Sequence, residues 1–373
     1  MKSRNDIINL GVVLLKIKRN YLLIGIMLLI FFVVILANRD NFSKERTIVR
    51  LKGVSTNEPI KDFNITSKSV FVWADPVLYI TDKEGNIINK VQRDSENIEV
   101  FFANNYAFLY DKDLGEVHMY SELGEELSKI DVKDEVFNIT YENANIIFHT
   151  RDEINEHLYL MGNDSTLTEI YKTGNKILTH DVVDYKNLAV AELKEDTSGF
   201  ASLLYSMKNG EKKSKSLSHE ILMYVKTSRN SVLALTDKNL YRFLESDEVY
   251  KEKIPNVSDI LVDGRDTYIL HSGIITKYNF KLEPTEKKII AANVNKMENV
   301  SGSIYVYGPS DVGGEIGSKG EFYARLGYSL DKMQINGLTI GALRNGELSL
   351  YSVVNSNLVE EDENKLDTNY KEG

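Results

Sequence analysis

Histidine is the side chain whose charge changes near neutral pH, so acid–base and metal chemistry are sought there first. The 373-residue sequence holds six: His118, His149, His157, His180, His219 and His271. None has metal-ligand spacing, and His149 and His157 fall on what read as neighbouring strands. There is no cysteine, so a zinc site would need histidine and carboxylate alone, and thiol chemistry is excluded. Asp111-Lys-Asp-Leu-Gly-Glu116 has the outline of a calcium loop, with Glu122 at the twelfth position. The sixth position, where such a loop needs glycine, is Glu116, so the segment reads as a tight turn, as does 81–85. Residues 308–320 contain five glycines, but Lys319 is followed by Gly320, which breaks the phosphate-loop pattern. That stretch and 192–199 read as loops on a rigid scaffold, where binding residues gather. Paired carboxylates at a channel could serve a glycosidase or lyase, but sequence does not pair them. No catalytic, cofactor-binding or metal-ligating residue is singled out.

The elements that would position such residues are strands. Between residues 46 and 358, runs rich in Val, Ile, Tyr and Phe last five to eight residues and stop at Gly, Asn, Asp or Lys turns. The runs repeat. Val77-Leu-Tyr-Ile-Thr-Asp-Lys-Glu-Gly-Asn-Ile-Ile-Asn-Lys-Val91 returns as Val117-His-Met-Tyr-Ser-Glu-Leu-Gly-Glu-Glu-Leu-Ser-Lys-Ile130, and later copies centre on Tyr159, Tyr205, Tyr241, Tyr278 and Tyr351. A degraded copy is expected at 315–320. The turns after these strands recur about every 39 residues, the mark of a four-stranded propeller blade. The arithmetic gives an all-β propeller of eight four-stranded blades, with seven left open because the unit 293–328 is irregular. The last unit supplies only three strands, at 333–335, 338–342 and 347–354. The orphan strand 47–54 therefore completes it and closes the ring. An open β-solenoid would want shorter coils and caps. The recurrent tyrosines, Tyr79 and Tyr120 included, read as packing residues between blades.

Ahead of the repeats stands an uncharged apolar stretch from Tyr21 to Ala37. Its 17 residues span about 26 Å as a helix, the short end of a membrane crossing. The expected organisation is a cytoplasmic tail (1–20), a transmembrane signal anchor (21–37), a linker (38–45), the propeller (46–358) and an acidic disordered tail (359–373). A cleaved signal peptide competes, but both its regions would be long for that role. Basic residues flank the span on both sides; Lys16, Lys18 and Arg19, packed against it, favour a cytoplasmic N-terminus. Beyond residue 37 there are 40 bases and 54 acids, a balance that repels nucleic acid and anionic lipid.

One apolar helix after a basic tail, followed by repeats such as Val77-Leu-Tyr-Ile-Thr-Asp-Lys-Glu-Gly-Asn-Ile-Ile, resembles an uncharacterised family of Gram-positive bacterial proteins with a single-pass anchor and a WD40- or quinoprotein-like propeller. The resemblance covers nearly the full length and implies no assigned activity. Trp73, the only tryptophan, is followed by Ala74, so the Trp-Asp ending of WD40 blades is missing. One tryptophan also cannot supply the docking tryptophan of each quinone-dehydrogenase blade.

The expected function is a non-enzymatic binding or scaffold module in the cell envelope. It would sit in the cell membrane with the propeller extracytoplasmic, need no cofactor, and bind an envelope protein or wall polymer. The alternatives are an extracytoplasmic enzyme acting on glycans or peptides at the channel, and a ligand sensor coupled to a membrane partner.

Overall fold

The computed structural model describes residues 46–356, apart from 197, 198, 291, 319, 327 and 328, together with Met27 and Leu28, which are helical. The expected tail, anchor, linker and acidic C-terminal stretch otherwise lie outside the described residues. Among the described residues no helix is long and apolar enough to cross a membrane. The chain divides into two compact units, Met1–Arg46 with Val354–Gly373, and Thr47–Val353.

The second unit is the propeller. Its strands form eight four-stranded sheets. They are blade 1 (62–92), blade 2 (98–131), blade 3 (135–173), blade 4 (176–218), blade 5 (222–253), blade 6 (257–289), blade 7 (296–325) and blade 8 (332–355 with 46–54). Each of blades 1 to 7 is an antiparallel meander in chain order. First strands of neighbouring blades lie side by side at the centre. Fourth strands are outermost, and their residues are mostly exposed. In blade 8 the order is Arg46–Val54, Glu347–Asn355, Thr339–Arg344, Lys332–Asn336. The N-terminal strand is therefore the outer strand of the last blade, and the ring closes as the orphan strand requires.

Eight apolar clusters fill the eight junctions between blades, each drawing on two neighbours. Phe71 and Trp73 of blade 1 meet Ala107, Leu109 and Tyr120 of blade 2. Phe63 of blade 1 meets Leu343, Leu348 and Leu350 of blade 8. Tyr79, Tyr120, Tyr159, Tyr205, Tyr241, Tyr278 and Tyr351 all stand on third strands and join these clusters. Their recurrence is packing between blades.

Two expectations fail. The third strand of blade 7 is Asp311–Gly314, not 315–320, and it runs through the expected loop 308–320. Its glycines mark a close approach of aromatic rings rather than a turn. A Cβ on Gly314 would stand 2.5 Å from Tyr305 Cε1, and one on Gly313 would stand 2.7 Å from Tyr323 Cδ1. Outside 197 and 198, the expected loop 192–199 is also strand. Asn187–Asp196 and Gly199–Lys208 pair along their full length in a long hairpin of blade 4. Glu192 is buried there, accepting hydrogen bonds from the Tyr171 hydroxyl and Asn175 Nδ2. Lys194 and Glu195, part of the charged run that suggested a loop, are exposed toward the end of that strand.

Candidate functional site

All first strands run the same way through the ring, so one face, here the entry face, is where they begin. Turns between second and third strands lie on that face too. Blades 3 to 6 share a feature there that blades 1, 2, 7 and 8 lack. Each carries a β-bulge at the start of its first strand, between Val136 and Asn138, Ile177 and Thr179, Leu222 and Tyr224, and Val257 and Asp259. A bulge re-aims a side chain. Val136, Ile177 and Leu222 point into the blade junctions and are buried, whereas the bulged residues Phe137, Leu178, Met223 and Ser258 are exposed. Ile154, Phe200 and Ile221 are exposed on the same face. The result is an apolar arc over three consecutive blades.

The arc rests on a buried polar cluster. Glu156, 2 % exposed, opens the third strand of blade 3. It accepts from Arg151 Nη2 at 2.8 Å, Arg151 Nε at 3.2 Å and the Ile177 amide at 2.7 Å, and lies 3.0 Å from His149 Nε2. Burial works against its charge, but the Ile177 amide, Arg151 and His149 together hold the carboxyl below the usual range. Burial pushes His149 down, against the pull of Glu156. The guanidinium so fixed lies 4.8 Å from the Phe137 ring centroid, and His149 meets the same ring edge-on at 5.1 Å. Phe137, 53 % exposed, is thus held in place by a network reaching through two blades.

Of the remaining histidines, among the described residues only His180 approaches another, meeting His149 edge-on at 6.4 Å. His149 and His157 are on adjacent strands, as expected, but in registers one apart and so on opposite faces. His157 lies between Glu169 and Asp152, at 2.9 and 3.0 Å; burial opposes its charge, and these carboxylates raise its pKa. His118 contacts Glu126 and Arg93. His180 Nδ1 is 2.9 Å from Glu142 Oε1, off the line of a hydrogen bond. His219 is exposed beside Phe200, and His271 contacts Thr276. Among the described residues no group of three His, Asp or Glu could hold a metal. The two calcium-like segments are turns: Asp111 Oδ1 caps the amides of Asp113 and Leu114, and Asp82 Oδ1 those of Glu84 and Asn86.

Carboxylates do meet around the channel, and most are committed to the backbone. The inner edge of each first strand has amides without a ladder partner. Glu142 accepts from the Val182 amide, Asp181 from Thr227, Asp259 from Met297 and Gln334 from Ile65, at 2.7–2.9 Å. Each reaches from one blade to the next. Glu298 differs. Among the described residues no cation pairs with it, and burial with the nearby Asp259 charge pushes its carboxyl up to about 7. Burial also raises the hydroxyls of Tyr307 and Tyr224.

Sequence reasoning missed the arc and the channel. A signal for the arc exists: Val136-Phe137, Ile177-Leu178 and Leu222-Met223 are adjacent apolar pairs that break strand alternation at one place in consecutive repeats.

No family model matches the sequence, and no curated protein matches it. The fold is similar to solved structures. BamB from Moraxella catarrhalis superposes with a TM-score of 0.54 at 7 % identity, over 82 % of this chain and all of that one. The computationally designed Ika8 protein gives 0.51 at 12 %, over 81 % and 98 %. The dihydro-heme d1 dehydrogenase NirN gives 0.51 at 12 %, over 83 % and 79 %. A designed protein and a dehydrogenase on one architecture show that the shape is silent about activity. What the comparisons and the sheet order establish together is an eight-bladed β-propeller.

Proposed function

We propose that this protein is a membrane-anchored, extracytoplasmic binding module that docks a protein of the cell envelope on the entry face of its propeller. The observation that carries the reading is the bulge repeated in blades 3 to 6, which turns Phe137, Leu178 and Met223 outward together. Exposing such residues gives up about 1.5–3 kcal/mol each relative to burial, and a partner that covers them recovers it. Propping by Arg151 and His149 reduces the ordering cost at Phe137. The apolar stretch 21–37 is the anchor in this reading, as in the Gram-positive family the sequence resembles. A second reading, an enzyme acting at the channel, has Glu298 in its favour, an acid poised near neutral pH.

Photocrosslinking in the native membrane tests the docking reading. A crosslinking amino acid at Ile154 or Leu178 should capture one discrete envelope protein, and Met223→Asp should abolish the adduct. The same probe at Ile88 or Leu338, on the opposite face, should give none. Equal adducts from both faces, or none from the entry face, would refute it.

A further inference from the structure

We propose that the cleft between the outer halves of blades 4 and 5 binds an acidic, extended peptide segment of a partner protein. The segment would add to the edge strand Glu211–Ser218. This surface is separate from the entry-face arc, and crosslinks from Ile154 and Leu178 do not report on it.

Charge is the first argument. Lys208-Asn-Gly-Glu-Lys-Lys-Ser-Lys215 has four lysines in eight residues, in a sequence whose net charge is −10. The run forms the last hairpin of blade 4. Odd-numbered residues of Glu211–Ser218 sit opposite the even-numbered residues of Gly199–Lys208, Lys215 against Leu204 and Lys213 against Ser206. That shared face looks across a cleft of about 400 Å³ to Val232, Phe243 and Asp247 of blade 5. The volume is enough to bury a few side chains. Its floor is apolar: Leu204 and Val232 are buried, and Phe243 stacks on Tyr241 at 5.5 Å.

Lys208 is engaged by the Ser228 and Arg229 carbonyls and by Glu245, but Lys213 and Lys215 are available. Among the described residues Lys215 has no hydrogen-bond or carboxylate partner, and it acts on Asp247 only through space. Lys213 Nζ holds Asp247 Oδ1 at 3.0 Å and the Glu245 carbonyl at 2.9 Å. Asp247 is 68 % exposed, so an incoming carboxylate can exchange for it at little cost.

The edge is the second argument. Glu211–Ser218 is the outermost strand of its sheet, and seven of its eight residues are exposed. Its outward amides and carbonyls are a template for another strand. Lysines along that edge repel a second copy of this chain, since like charges would face each other, and attract a strand bearing acids at alternate positions. Alternate positions are those that would point into the cleft, toward Lys213 and Lys215.

The test is fluorescence anisotropy with the full chain in detergent and a labelled octapeptide of alternating glutamate and valine. Binding should be saturable below 1 mM and weaken at least tenfold in the Lys213→Glu/Lys215→Glu variant, whose melting temperature should match the wild type. Lysine in place of glutamate, or N-methylation of alternate peptide amides, should abolish binding. No binding at 1 mM, unchanged binding by the double variant, or full binding of the N-methylated peptide would overturn the proposal.

Discussion

Removing the Glu156 carboxylate should destabilise the propeller, by an amount the structure bounds. Breaking a buried ion pair by deleting one partner costs about 3–5 kcal/mol when the orphaned charge stays buried. Here the two cations can rehydrate, since the Arg151 and Lys176 side chains are 34 % and 62 % exposed. What stays stranded is the Ile177 amide and the buried His149 ring, at roughly 1–3 kcal/mol for each lost partner. Glu156→Ala should therefore cost about 3 kcal/mol, and Glu156→Gln, which keeps an acceptor for the amide, about 1.5–2 kcal/mol. For a domain of this size 1 kcal/mol moves the melting temperature by about 2 °C. The expected shifts are then about 6 °C and about 3–4 °C, read by circular dichroism of the full chain at pH 7. The pH dependence follows from linkage. The folded pKa of Glu156 is depressed, so its contribution is fully present above the unfolded value of about 4.3 and is lost as pH falls through the folded pKa. His149 is also depressed, and Glu156 moderates the depression. In Glu156→Gln that moderation disappears, so the variant should lose further stability as pH falls below about 6.5. A Glu156→Ala melting temperature within 1 °C of wild type would refute the reasoning.

Two further outcomes are expected. Glu298 has a raised folded pKa, so its contribution is fully present below the unfolded pKa of about 4.3 and lost as pH rises through about 7. Glu298→Gln should exceed wild type in melting temperature by clearly more at pH 8 than at pH 5; a difference flat with pH would contradict the assignment. Gly341→Ala should cost about 1–3 kcal/mol through overpacking, because its Cβ would stand 2.9 Å from Phe63 Cζ and 3.2 Å from Ile65 Cδ1, both buried at the closing junction. Gly174→Ala, with nothing within 4 Å, is the control; equal melting shifts for the two would count against the packing argument.

The sequence showed the fold wherever a repeat carries its own signal. The turn after the third strand needs a left-handed residue in blade after blade, and Gly85, Gly124, Gly210 and Leu282 all have positive φ. The strand 47–54 was legible because a three-stranded blade is an unfinished one. Blade 7 was misread because Gly313 and Gly314 owe their identity to Phe322, Tyr323 and Tyr305, neighbours no local pattern reveals. The channel was not legible because its bridges join residues about 40 positions apart, such as Glu142 with Val182 or Asp259 with Met297. Any of the 55 acids could have served as well on composition alone.

The ring separates two tasks. At the junction of blades 8 and 1, backbone and side chains are bound tightly: Lys332 holds Asp62 and the Phe63 carbonyl, Gln334 takes the Ile65 amide, and Asn336 takes the Ile65 carbonyl. A non-covalent closure draws on such bonds, together with the pairing of Arg46–Val54 against Glu347–Asn355 and the apolar cluster around Phe63. The bulges lie elsewhere, in blades 3 to 6. A bulge disrupts its ladder locally, and at the closing blade that loss would add to the weakness of a sheet whose outer strand, Arg46–Val54, is held only by non-covalent pairing. Placed in the continuous middle of the chain, the same loss is carried by blades whose order in the ring the chain itself secures. The apolar arc and the lysine-lined edge of blade 4 both fall in that half. A propeller closed by its first strand has this as a natural division: the seam is spent on holding shape, and the blades away from it are free to be irregular and to bind.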